Sequence, residues 1–321
     1  QKMTQAAGSK ARVLFAWEST YGTAGTDAFV LPYNTFGLTG NQAKNTPATI
    51  RGNRNPYAPF AGNIDAGGPI VVPMDWKAMY FWLTAMFSTS AEAGTGDPYT
   101  YTFTVHDTQP SFTLEKQHTD ISTYWRYLGC KVSKASFQLG GDGELVCNID
   151  ILAAEEELPS GALDASPTTI TLARLGNFQA TVKLGGSASS IVKTLDINLD
   201  FGLDGDQRVI GGGGKRGAIP EGILNLSGNI EMIYESDTYV DMGVANTETS
   251  LAIELLNSDL NPHGLKFYFD EVEFSRFQAP INGPQGVSIQ GTFHPFLDDD
   301  ATASAVWVDL ITDTDQTANN P

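Results

Sequence analysis

Apolar and polar residues alternate along most of this chain, and that alternation predicts its fold class. In YLGCKVSKASFQL (127–139), Ser133, Ala135, Phe137 and Leu139 share one face, and Val132, Lys134, Ser136 and Gln138 share the other. The turn-forming GGDG follows at 140–143. In ELVCNIDIL (144–152), Leu145, Cys147, Ile149 and Ile151 then lie opposite Glu144, Val146, Asn148 and Asp150. A period of two places successive side chains on opposite faces of a strand. Two such runs joined by a glycine-rich turn predict a hairpin. One apolar and one largely polar face is the pattern of an antiparallel sheet packed on one side. TLDINLDFG (194–202) and ILNLSGNIEMIY (223–234) repeat it, and a last hairpin is predicted from LKFYFDEVEFSRF (265–277) through NGPQG (282–286) into VSIQGTF (287–293).

Helix is scarce. The best candidate is 75–87, with Asp75 as its N-cap, Pro73 just ahead and apolar residues on nearly every side. A shorter helix is predicted over 236–245. The order of elements suggests an internal duplication. A loop with Arg51 and Arg54 precedes a segment ending at Val72, the helix, a strand near 99–105 and the 127–152 hairpin. A loop with Lys215 and Arg216 precedes strand 223–234, the short helix, strand 248–256 and the 265–293 hairpin. The first half would then hold an insertion around 106–124, and the domains would be 1–165 and 166–321. A length of 321 residues suits two domains.

Composition agrees with a folded chain of many strands and turns: 41% hydrophobic, 17% charged and 33 glycines. The net charge of −18 is uneven, for the stretch from 161 onward holds 22 of the 37 acidic residues but 8 of the 19 basic ones. Such a chain does not grip nucleic acid by neutralising phosphates, which needs clustered Lys and Arg. An acidic surface that faces DNA would repel it. With a turn near Gly141-Asp142, Cys147 faces residues around 135–137, beyond bridging distance of Cys130, so two buried thiols are expected, as in a reducing cytoplasm. The N-terminal segment has no apolar core of a secretory signal, and no run of 18 apolar residues predicts a membrane helix.

Candidate chemistry is thin. GGGGKRG (211–217) fails as a phosphate loop, because Val209 and Arg216 occupy the places of the first glycine and the Ser/Thr. His106, His118, His263 and His294 show no metal-ligand spacing. The runs Glu155–Glu157 and Asp298–Asp300 do not alternate as calcium ligands do and are expected as solvated turns. The aromatics Tyr80, Phe81, Trp82 and Phe87 are expected in packing rather than ligand binding. No nucleophile, base and orienter assemble from the sequence, so no enzyme, cofactor or metal is expected.

WESTYGT (17–23), TIRGNRNPY (49–57), the strand running into a Trp-containing helix at 70–87, PSFTLEK (110–116) and the 127–139 strand with its return resemble the tail tube proteins of long-tailed bacteriophages. NFQATVKL (177–184), TLDINLDFGLD (194–204) and GILNLSGNIEMIY (222–234) carry the likeness across most of the chain. The resemblance implies a mainly β protein of tandem β-sandwich or half-barrel domains, each with a flanking helix, joined between subunits into a continuous inner β-barrel. It implies stacked rings, sixfold or built from three two-domain subunits, forming a conduit for viral DNA in the virion tail, assembled in the host cytoplasm. The expected partners are further copies of the chain, a tape measure protein and a tail terminator, with DNA in transit and no membrane. Candidate lumen-facing residues are Glu144, Asn148, Asp150, Ser288, Gln290 and Thr292, and candidate inter-ring contacts are Arg51, Arg54, Lys215 and Arg216. Alternatives are another β-rich virion protein (a terminator, baseplate or decoration protein) or a carbohydrate-binding adhesin module.

Overall fold

The computed structural model describes residues 5–88, 90–94, 96–257, 260–281, 283–297 and 304–321. The Asp298–Asp300 run and Asn282 of the predicted last turn lie outside them. The chain is mainly β. It opens with β1 (Ala11–Trp17), β2 (Ala28–Leu31), β3 (Thr35–Phe36), β4 (Thr39–Asn45) and β5 (Phe60–Pro73), then α1 (Met79–Phe87). There follow β6 (Ala91–Ala93), β7 (Tyr99–Thr104), β8 (Phe112–His118), β9 (Thr123–Leu139), β10 (Val146–Ala153), β11 (Glu155–Glu157) and β12 (Thr168–Thr169). The remainder holds β13 (Ala180–Leu184), β14 (Ser187–Ser189), β15 (Val192–Asp200), β16 (Asn225–Ile233), α2 (Thr238–Ala245), β17 (Thr249–Leu256), β18 (Gly264–Phe274), β19 (Ser288–Phe296) and β20 (Trp307–Thr312).

Most of the ladders fall into two matching sets. β1 pairs with β2 and β8, as β13 pairs with β14 and β17. β5 pairs with β4 and β10, as β16 pairs with β15 and β19. The long strand β9 takes β8, β10 and β11, and β18 takes β17, β19 and β20. α1 follows β5, and α2 follows β16. By this correspondence β8 is the partner of β17, so the element peculiar to the first set is the β6–β7 hairpin and not the expected insertion at 106–124. β8 is buried on both faces, Phe112 and Leu114 in the core and Thr113, Glu115 and Gln117 opposite them, so it lacks the contrast of one apolar and one wet face.

One bulge is repeated with the same residue. The β9·β10 register shifts so that Lys134 faces Asp150 and Val132 faces Ile151, leaving Ser133 unpaired, with its Oγ donating to the Asp150 carbonyl at 3.0 Å. In the second set Phe274 faces Phe293 and Gln278 faces Gln290, and in the offset between them Ser275 accepts the Thr292 N–H on its Oγ at 2.9 Å. A bulge reverses the side-chain alternation of its strand. Val132, expected on the polar face, is therefore buried.

Strands of the two halves also pair with each other: β15 with β9 and β20 with β7, while the short β12 runs parallel to β2. Beneath them lies one core: Phe137 meets Phe267 at 4.9 Å, and Phe87 at the end of α1 meets Phe201 at 6.0 Å. All nine α1 residues are buried. That helix begins four residues after Asp75, because Asp75 Oδ1 accepts N–H groups from Lys77 (2.8 Å), Ala78 (2.6 Å) and Met79 (3.3 Å) and folds a turn there first.

Candidate assembly surfaces

Five adjacent strands, β10, β9, β15, β16 and β19, present one polar face. Asn148, Ser136, Asn198 and Ser227 stand in one cross-strand row, and Asp150, Lys134, Asp200 and Asn225 in the next. The same face continues through Asn229 opposite Thr292, Glu231 opposite Gln290 and Ile233 opposite Ser288. Asn148, Asp150, Ser288, Gln290 and Thr292, drawn from both halves of the chain, thus share one surface. Glu144 stands at its end, accepting from Asn34 Nδ2 (2.8 Å) and paired with Arg174 (3.0 Å). Ala135, Phe137, Ile149, Ile197, Ile230 and Phe293 fill the opposite, buried face.

Acids outnumber bases on this surface. Lys134 pairs with Asp200 at 2.7 Å and holds that carboxyl below its ordinary pKa. Lys193 does the same for Glu231. Asp196 has no cation partner among the described residues; its carboxylate accepts the Asn229 N–H (2.7 Å) and the Asn229 and Asn198 amides (2.9 and 3.0 Å). The surface dips into two open depressions of about 480 and 360 Å³ lined mainly by such polar groups, unlike the enclosed apolar pockets of small-ligand sites.

The candidate contact loops occupy matching places, 46–59 between β4 and β5 and 201–224 between β15 and β16. Arg51 is exposed, lies 4.6 Å over the Tyr57 ring and donates to the Pro56 carbonyl. Arg54 is exposed, and Lys215 pairs with Glu155 at 2.7 Å. Ile50 and Ile210 stand fully out of the two loops, 94% and 107% exposed. Arg216 is spent inside its own subunit. It is 8% exposed and donates to the carbonyls of Gly205 (2.6 Å), Ala66 (2.8 Å) and Ala153 (2.6 Å), and its Nη2 meets Asp65 at 3.2 Å.

Other charged groups have partners within the chain. Glu155–Glu157 form β11 rather than a solvated turn, since Lys215, the Gly40 N–H and Arg126 take their carboxylates. Glu18 of WESTYGT accepts from Thr113 Oγ1, the Gly129 N–H and the Gly22 N–H, at 2.8–2.9 Å. Gly129 has φ +62°, and a Cβ there would lie 3.0 Å from the Tyr21 ring, so WESTYGT and YLGC fit together as one unit. Cys130 and Cys147 are free and buried, and burial pushes both thiols up in pKa. Among the described residues no His, Cys, Asp and Glu cluster could hold a metal, and no helix is long and apolar enough to cross a membrane.

The family model described as phage tail tube protein matches residues 8–302. The chain belongs to that family. No curated protein matches it. As a phage tail tube protein the chain is a structural viral protein of the phage tail. The match spans the polar face, both loops and all strands but β20.

Proposed function

We propose that three copies of this tail tube protein close into a ring, that rings stack into a hollow tube, and that the polar face lines the bore through which viral DNA leaves. Each half, 1–165 and 166–321, supplies one tube domain, and the division falls in the segment connecting β11 to β13. The observation that carries this reading is the unbroken polar face from β10 to β19, which crosses from one set of strands to the other at the β9·β15 junction. A single chain thereby supplies two consecutive staves of a barrel, and three chains supply six. Glu144, Asn148, Asp150, Ser288, Gln290 and Thr292 then face the bore. Their acidic surroundings repel phosphates within the screening length of roughly 8–10 Å and limit adhesion during passage.

Ring-to-ring contact falls to the two loops. Arg51, Arg54 and Lys215 supply charge, and Ile50 and Ile210 supply apolar tips that water now surrounds. Arg216 braces the second loop from within. A tape measure protein inside the growing tube and a terminator at its end are the partners of such an assembly in the host cytoplasm. Electron microscopy of the purified protein should show long hollow filaments. Single rings alone would make it a terminator, and a persistent monomer would contradict the reading. Phage carrying Glu144→Lys with Asp150→Lys should build normal tails and release DNA more slowly, and unchanged release would remove this face from the bore.

A further inference from the structure

The junction inside the chain is a template for the junction between chains. Leu195, Ile197 and Leu199 of β15 face Leu139, Phe137 and Ala135 of β9. The matched pairings carry β15 onto Phe36–Asn41, which run along β5 as β15 runs along β16. They carry the end of β9 onto residues 276–281, which follow the Ser275 bulge as 134–139 follow Ser133. Inside one chain both counterparts have an open side. Among the described residues β4 pairs with β5 alone, and Gln278 exchanges both backbone bonds with Gln290 at 2.8 and 2.9 Å. The backbone groups of Phe277, Ala279 and Ile281, which alternate with Gln278 and so point away from β19, have no partner among the described residues. Ile281 is 79% exposed.

Building on the ring reading above, we propose that Phe36–Asn41 of one copy pairs antiparallel with residues 276–281 of the next, with Thr39 opposite Gln278. The register carries over from Asn198 opposite Ser136. It sets Leu38 against Ala279, Phe36 against Ile281 and Asn41 against Arg276, so apolar side chains meet on the core side as Ile197 and Phe137 do within the chain. Pro280 is compatible, because its missing N–H lies on the β19 side, like the Gln278 N–H.

The edge of β4 also carries the mark of a strand awaiting a partner. Tyr127 Oη donates to the Leu38 carbonyl at 2.8 Å, and the Glu156 carboxylate accepts the Gly40 N–H at 2.9 Å. Both backbone groups point away from β5, and polar caps on an open edge suppress indiscriminate pairing. At the matching positions of the second set stand Phe269 and Val306, both buried, and there β9 already occupies the edge. Polar caps are present where the edge is open and absent where it is filled. On assembly the neighbouring strand takes the two groups that Tyr127 and Glu156 hold.

Thr39 and Gln278 would form a non-hydrogen-bonded pair, whose Cα separation of roughly 4.5 Å permits a disulfide. Thr39→Cys protein mixed with Gln278→Cys protein, assembled and oxidised, should give cross-linked dimers, and the double variant should give cross-linked closed rings. Asn41→Cys with Gln278→Cys, out of register by two residues, should not cross-link. Ser136→Cys with Asn198→Cys, the intrachain counterpart, should close within every chain, assembled or not, and shows that this geometry admits the bond. Tubes that form without the Thr39–Gln278 link overturn this pairing and leave the ring reading standing. Failure of the single variants and the parent alike to form any ring overturns both.

Discussion

Arg216 and Glu115 are both buried and ionic, and each is held by a fixed set of partners. The Arg216 guanidinium satisfies three backbone carbonyls from β5, the end of β10 and its own loop. Desolvation holds its pKa below the ordinary arginine value. Arg216→Ala strands those carbonyls and should cost about 3 kcal/mol in denaturant unfolding, far more than Arg54→Ala on the surface. Glu115 is fully buried, meets Arg126 at 2.7 Å and accepts from Gln117 Nε2 (2.6 Å) and the Leu163 N–H (2.9 Å). Breaking such a pair from one side costs about 3–5 kcal/mol. Asp75 behaves differently, since burial pushes its pKa from 3.8 up to about 6 despite the N–H groups that favour its charge. The folded state then keeps a proton that the unfolded chain has released, so stability falls as pH rises between those two values. Asp75→Asn keeps the acceptor and cannot ionise. The parent should lose roughly 2–3 kcal/mol against this variant between pH 4 and pH 7, and a difference that stays flat with pH would contradict the assignment.

At the scale of elements, apolar burial outweighs the ion pairs that decorate the same strands. The Lys134–Asp200 pair at the β9·β15 junction is exposed, and such pairs contribute about 0–1 kcal/mol. Ile197→Ala, on the buried side of that junction, should cost about 2–5 kcal/mol and loosen the two halves together. Glu156→Ala uncaps Gly40 and should shorten the lag before assembly in light scattering at equal concentration; an unchanged lag would mean the cap does not guard the edge. The strands that alternation revealed were those with one wet face. The 127–152 hairpin, β15, β16 and β19 lie where their patterns place them, and Cys147 sits opposite Phe137 as its turn predicts. What escaped was polar and buried. β8 hides Thr113, Glu115 and Gln117 in ladders between β1 and β9, and β11 is three glutamates held by partners distant in sequence. Such satisfaction is a tertiary property with no local signature, and so is the burial of Arg216. The helix start slipped for a smaller reason: a carboxylate able to cap a helix made a tight turn first.

At the scale of the molecule, the two halves are alike in pairing and unlike in surface. The stretch from 161 onward carries most of the excess acid, so a ring of such chains would alternate weakly and strongly acidic sectors around its wall. That alternation follows from one chain supplying two staves, and six identical single-domain subunits would lack it. The central claim is therefore a count. Cryo-electron microscopy of tubes assembled from the purified chain should resolve three chains per ring, with six sheet junctions of which every second one lies between chains. Six separate chains in each ring would contradict it.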